Sequence, residues 1–240
     1  MSLMLASVNS LEEARLVKGF GVDIIDLKQP ALGALGALDL ETVTEIVAAL
    51  KPSAQISATV GDLPMQADVL GKAVQEMAAT GVDYVKIGFF PGGDWPGSMD
   101  ALAGMARQGR ALIAVLFADT HPDFSLIETL ASAGFRGVML DTMDKRRGSL
   151  TDLMAIDELQ EFVRTAKACS LLTGLAGSLK ASDIGELLPL DADYLGFRGA
   201  LCRERNRTAA LDEGQVLKIK ELLKTKGTGF MYQGTKQHDV

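Results

Sequence analysis

Ala111-Leu-Ile-Ala-Val-Leu-Phe-Ala-Asp-Thr-His-Pro-Asp-Phe-Ser-Leu-Ile-Glu-Thr-Leu-Ala-Ser-Ala-Gly-Phe-Arg-Gly-Val-Met-Leu-Asp141 contains one complete structural unit. Leu112–Ala118 is apolar and of strand length, too short to cross a bilayer. In Phe124–Ala133, Ile127 and Leu130 fall three residues apart on one face, as a helix packed on a sheet requires. Gly134 supplies the left-handed conformation that closes such a helix. A second apolar run, Gly137–Asp141, follows at once. The stretch predicts strand, crossover helix and parallel strand.

The same alternation extends in both directions. Further strands are expected at Leu3–Val8, Asp23–Lys28, Gln55–Val60, Tyr84–Phe89, Leu171–Gly174 and Tyr194–Phe197. Amphipathic stretches separate them: Leu11–Gly19, Leu40–Leu50, Met65–Thr80, Ile156–Cys169, Ser182–Leu188 and Asp212–Lys224. About eight units in 240 residues leave about 30 residues each, a little over the minimum for a parallel crossover. This predicts an α/β fold of one domain, a (β/α)8 TIM barrel over 1–224, with an open doubly wound sheet as the alternative. No Gly-x-Gly-x-x-Gly follows an early strand, which lowers a dinucleotide-binding reading. The Gly-, Thr-, Lys- and Gln-rich tail, 225–240, is expected to be mobile or to pack on a neighbouring subunit of a homo-oligomer.

Composition narrows the function. There are 31 acidic against 24 basic side chains, a net charge of −7, which argues against nucleic acid and anionic membranes as partners. With 48% hydrophobic and 23% charged residues the chain reads as a soluble globular protein. Two cysteines, Cys169 and Cys202, cannot build a disulfide framework, and with only His121 and His238 no multi-histidine metal site is expected. No leader-type segment precedes the first strand, so a cytoplasmic protein is expected.

In a barrel, chemistry gathers at the C-terminal ends of the strands. Asp26 and Lys28 end the second strand and, two apart, share one face. Lys86 lies within the apolar fourth strand. It either snorkels outward or reaches a mouth where Lys28 and Lys145 converge, with Asp26 and Asp141 between them. Neighbouring cations and desolvation lower a lysine's pKa, and a free amine is the nucleophile of Schiff-base chemistry. Asp119 and His121 follow the fifth strand as further candidates, His121 being more simply a loop residue.

The loops after the seventh and eighth strands, Gly174-Leu-Ala-Gly-Ser178 and Gly196-Phe-Arg-Gly199, stand where barrels often hold phosphate. Gly177 and Gly199 would offer backbone N–H groups, Ser178 a hydroxyl and Arg198 a paired contact. Lys180 either adds charge or caps a helix in solvent. The Arg203–Arg207 run reads as a solvated or subunit-contacting loop, the alternative being a second phosphate contact. Pro91–Gly97, with Trp95, reads as a loop beside Lys86 able to cover the pocket.

Taken together, Asp23-Ile-Ile-Asp-Leu-Lys-Gln-Pro30, Tyr84-Val-Lys-Ile-Gly88, Met139-Leu-Asp-Thr-Met-Asp-Lys145, Gly174-Leu-Ala-Gly-Ser-Leu179 and Gly196-Phe-Arg-Gly-Ala-Leu-Cys202 resemble the (5-formylfuran-3-yl)methyl phosphate synthases. The resemblance spans about Met4 to Leu223. It implies a barrel lyase that condenses two molecules of glyceraldehyde 3-phosphate into 4-(hydroxymethyl)-2-furancarboxaldehyde phosphate. Phosphate and water are released, no cofactor is needed, and the product feeds methanofuran-type one-carbon carriers. It also implies Lys86 as the Schiff-base lysine, with Asp26, Lys28, Asp141 and Lys145 completing the site. The residues alone leave two alternatives: another Schiff-base aldolase or transaldolase on sugar phosphates, and a barrel that only binds a phosphorylated ligand.

Overall fold

The computed structural model describes residues 2–225, so the expected tail, from residue 226 on, lies outside the described residues. Eight parallel strands close into a barrel in sequence order, and the last pairs back with the first. They are β1 Leu3–Val8, β2 Ile24–Leu27, β3 Gln55–Thr59, β4 Tyr84–Gly88, β5 Leu112–Phe117, β6 Gly137–Asp141, β7 Leu172–Leu175 and β8 Tyr194–Phe197. The expected barrel is therefore present, and the open sheet is excluded.

The helices are α1 Leu11–Gly19, α2 Leu40–Leu50, α3 Ala67–Ala79, α4 Trp95–Arg107, α5 Leu126–Ser132, α6 Leu150–Leu153, α7 Ile156–Ala168, α8 Ile184–Leu187 and α9 Glu213–Thr225. Each of the longer ones turns an apolar stripe inward, such as Val43, Ile46, Val47 and Leu50 of α2. These stripes form one apolar layer with the outward faces of the strands. A smaller cluster fills the barrel itself, with Leu5, Ile24, Ile113, Val115, Phe117, Met139 and Tyr194. The alternation of side chains along each strand divides the two layers.

Two of these helices, α4 and α6, were not expected. Pro91–Gly97 is not a covering loop: Asp94 caps α4 by accepting the N–H of Gly97 at 3.0 Å, and Pro96 occupies a first-turn position where it costs no hydrogen bond. Trp95 packs edge-on against Phe89, with ring centroids 5.4 Å apart. The segment faces a cavity that Lys86 does not line.

A repeated device sets the strand ends. Gly21-Val-Asp23 and Gly81-Val-Asp83 precede β2 and β4. Each aspartate accepts a backbone N–H from the neighbouring strand, Asp23 from Met4 and Asp83 from Ile56, both at 2.8 Å, and Asp193 does the same for Thr173 at 2.6 Å. Asp26 and Lys86 each lie three residues beyond such an aspartate, at equivalent places in their units.

Candidate active site

The register explains how the charged residues meet. Asp26 is level with Ser7 and Ser57, and Ser57 is level with Tyr84. Lys86 therefore stands one inward-facing step further along the barrel, and its stem reaches back to Asp26. Its Nζ donates to Asp26 Oδ1 at 2.9 Å, and both residues are almost fully buried, at 2% and 0% exposure. Ser57 Oγ donates to the same oxygen at 2.7 Å and Ser7 Oγ to the other at 2.9 Å. Asp26 thus has three donors on two oxygens, the satisfaction a buried carboxylate needs.

A second ion-pair group lies beside the first. Lys28 Nζ is 3.4 Å from Asp141 Oδ2, a looser contact than that of Lys86. Lys145, four residues beyond Asp141 in the turn after β6, pairs with its other oxygen and donates to Thr142 Oγ1 at 3.1 Å. The Thr142 N–H adds a bond to Asp141 at 2.7 Å. Lys28, Lys86, Lys145 and Asp141 all line one cavity of about 270 Å³ at the C-terminal mouth of the barrel.

The electrostatics separate the groups. Burial, helped by the positive Lys145 and Lys86, lowers the Lys28 ammonium from 10.5 to about 8, although Asp141 pulls it back. Burial pushes the Asp141 carboxyl upward, but Lys145 and Lys28 outweigh it and hold Asp141 well below the usual carboxylate range. Burial, and then the charge of Asp26, push the Tyr194 phenol above its ordinary value, so it stays protonated inside the barrel.

The expected phosphate residues divide. Gly177, Ser178 and Gly199 line the same cavity, with Lys180 at its edge. Gly177 has φ 108°, and a Cβ there would lie 2.8 Å from Thr142 Cγ2, so only glycine lets this loop rest on the Asp141 turn. Arg198 also touches the cavity, but it does not serve as the expected phosphate contact. Its Nε donates to Arg207 O at 2.8 Å, Nη1 to Ser7 O and Glu13, and Nη2 to Glu13 and Ala209 O. A guanidinium has five N–H donors, and all five are taken by the protein.

Asp119 and His121 also separate. Asp119 is buried, and its two oxygens accept the N–H groups of Met143 and Asp144 at 2.7 and 2.8 Å. It braces the turn that carries Lys145 and does not line the cavity. His121 is exposed in the left-handed conformation, φ 49°, beside Trp95 in the other cavity. It lines a different cavity from the three lysines. Arg205 and Arg207, read from sequence as a solvated loop, line the mouth. Their signal lay in position alone, directly after the eighth strand.

Among the described residues no three His, Cys, Asp or Glu side chains gather as a metal site, and no helix is long and apolar enough to cross a membrane. The mouth offers amines, carboxylates and backbone N–H groups, a set suited to carbonyl and proton-transfer chemistry on an anion.

Comparison with known proteins bears on the fold and the family. A protein from Salmonella typhimurium, 3-hexulose-6-phosphate synthase, superposes with a TM-score of 0.66 at 17% identity, over 92% of this chain and 98% of that one. Phosphoribosyl anthranilate isomerase from Thermus thermophilus gives 0.65 at 14% identity, over 93% and 98%. At such identities these share the barrel fold alone. The sequence itself is closer to other proteins. A relative from Methylorubrum extorquens is 43% identical over 223 residues, 92% of this chain and 91% of that protein. The (5-formylfuran-3-yl)methyl phosphate synthase of Methanopyrus kandleri is 34% identical over 234 residues, 92% of this chain and 98% of its own. The family model described as 4-HFC-P synthase matches residues 4–220, and the chain belongs to that family.

Proposed function

We propose that this protein is a carbon–oxygen lyase making (5-formylfuran-3-yl)methyl phosphate from two molecules of glyceraldehyde 3-phosphate, through an imine on Lys28. The observation that carries this reading is the meeting of three lysines and two aspartates, in two buried ion-pair groups, around one small cavity. The sequence assigned the imine to Lys86, but Lys86 is held in a tight pair with Asp26. Lys28 has the looser partner and the lowered pKa, so it is the amine more often free to attack a carbonyl.

The chemistry then follows from the product. Attack of Lys28 on the aldehyde carbon and loss of water give an iminium, which acidifies the adjacent C–H. Removal of that proton and expulsion of phosphate from the third carbon leave an enol whose terminal carbon is nucleophilic. The formyl and phosphomethyl groups sit on non-adjacent ring carbons, so the new bond forms at the middle carbon of the second triose. That carbon must first become a ketone, by moving a proton between the first and second carbons. Ring closure by the free terminal hydroxyl, loss of two waters and hydrolysis of the imine release the furan aldehyde.

The Lys86–Asp26 pair supports the proton transfers, and Asp141 with Lys145 supports the developing oxyanions. The reading includes a cytoplasmic homo-oligomer serving the biosynthesis of methanofuran-type carriers. Incubation with glyceraldehyde 3-phosphate should give a furan absorption band and free phosphate. Borohydride reduction during turnover should label the Lys28 peptide. Absence of the furan would defeat the synthase reading; label without furan would favour an aldolase.

A further inference from the structure

Arg198 and Arg207 stand on the same loop with opposite accounts. Arg198 has spent every N–H on the protein, and two of its acceptors, Arg207 O and Ala209 O, are backbone carbonyls of that loop. Its other acceptors, Ser7 O and Glu13, belong to the first strand and to α1. Arg198 therefore ties the backbone of residues 207–209 to the barrel rim.

Arg207 is half-buried and lines the mouth with Lys28, and it lies within electrostatic reach of Asp141. Its Nη2 donates to Gly33 O at 2.9 Å, across the mouth on the loop after β2. Asp62 holds that loop in turn, accepting the N–H groups of Ala34 and Leu35 at 2.8 and 2.6 Å. The rest of the Arg207 fork has no protein acceptor among the described residues. A guanidinium fixed at both ends, beside a cavity, with donors unspent, is prepared for an anion with several oxygens.

We propose that Arg207 grips a phosphate monoester at the mouth, and that Arg198 is the positioning residue that aims it. This rests on reading the mouth as a triose-phosphate site and names the side chain that selects the phosphorylated triose. Two phosphorylated substrates require more than the glycine loops at Gly177 and Gly199, and Arg207 provides the paired contact expected of Arg198.

The test uses the full chain and two ligands. Calorimetric titration with inorganic phosphate should show Arg207→Ala binding about ten- to a hundredfold more weakly than the wild type. Arg207→Gln, which keeps a donor for Gly33 O, should lose binding similarly, and this separates ligand contact from loop anchoring. Borohydride trapping should show a raised half-saturating concentration for glyceraldehyde 3-phosphate in both variants, and an unchanged one for glyceraldehyde. Phosphate binding within twofold of wild type in both variants, or equal losses for the two aldehydes, would overturn the proposal. A protein that makes no furan but loses phosphate with Arg207 would refute the synthase reading and leave this one standing.

Discussion

Lys86 Nζ lies 2.9 Å from Asp26 Oδ1 at the centre of the barrel, where neither group meets bulk water. Such a pair is maintained by mutual dependence, because loss of either partner strands a charge in a medium that cannot solvate it. Asp26→Ala should cost about 3–5 kcal/mol of unfolding free energy, since Lys86 must then be buried alone or neutral. Asp26→Asn should keep most of the fold and lower turnover by about a hundredfold or more. Denaturant unfolding and furan formation, measured on both variants, separate the two effects.

The lowered pKa of Lys28 gives a pH dependence with a definite sign. Imine formation needs the free amine, so the borohydride-trapping rate should rise as pH passes through about 8. Between about 8 and 10.5 the unfolded chain holds the proton more tightly than the folded one, so this group's contribution to stability also rises with pH there. Lys28→Arg should lose both label and turnover, because guanidinium stays protonated. Lys86→Arg should lose turnover and keep a label at Lys28. A label found on Lys86 in the wild type would return the imine to the residue the sequence first suggested.

Asp119 acts on the site through the backbone. Its two oxygens each hold one N–H of the turn after Asp141, and an asparagine there can accept only one of them. Asp119→Asn should reduce turnover by about tenfold at little cost in melting temperature, with the pH profile unchanged. A shifted pH profile would instead make Asp119 a proton carrier.

His121 provides the control. It stands outside the mouth, so His121→Asn, which tolerates the left-handed backbone, should leave turnover within about twofold of wild type. A large loss would require a second contribution from the neighbouring cavity.

Tyr194 can enter the barrel because position 174 lacks a side chain. A Cβ at Gly174 would lie 2.3 Å from the tyrosine ring, beneath the layer that holds Asp26. Gly174→Ala should therefore destabilise by about 1–3 kcal/mol. The double variant with Tyr194→Ala should cost less than the sum of the single changes.

The barrel was legible because its signals are local: apolar runs of strand length, helical stripes such as Ile127 and Leu130, and glycines between them. The convergence of Lys28, Lys86 and Lys145 with Asp26 and Asp141 on one mouth was legible for a related reason, whereas the pairing of Lys86 with Asp26 was not. Strand ends face one mouth, and short spacing places side chains on one face. α4 was missed because Pro96 and three nearby glycines read as loop, although Asp94 and Pro96 together form a helix start. Arg198 was misread because a ligand and a fastener can occupy the same strand end. The difference lies in Glu13, separated by 185 residues and adjacent only after folding. Arg207 was undervalued for the same reason, since its aim depends on carbonyl contacts that no spacing encodes.

The bond between Glu13 and Arg198 also orders events in time. The first strand keeps one edge open until the eighth is made, and the clamp on the 207–209 backbone closes only when both are present. During synthesis the nascent chain can stack its early units, but it cannot assemble the mouth before the last part emerges from the ribosome. The clamp is therefore among the last contacts of the mouth to form, and a chain cut short before Arg198 lacks it.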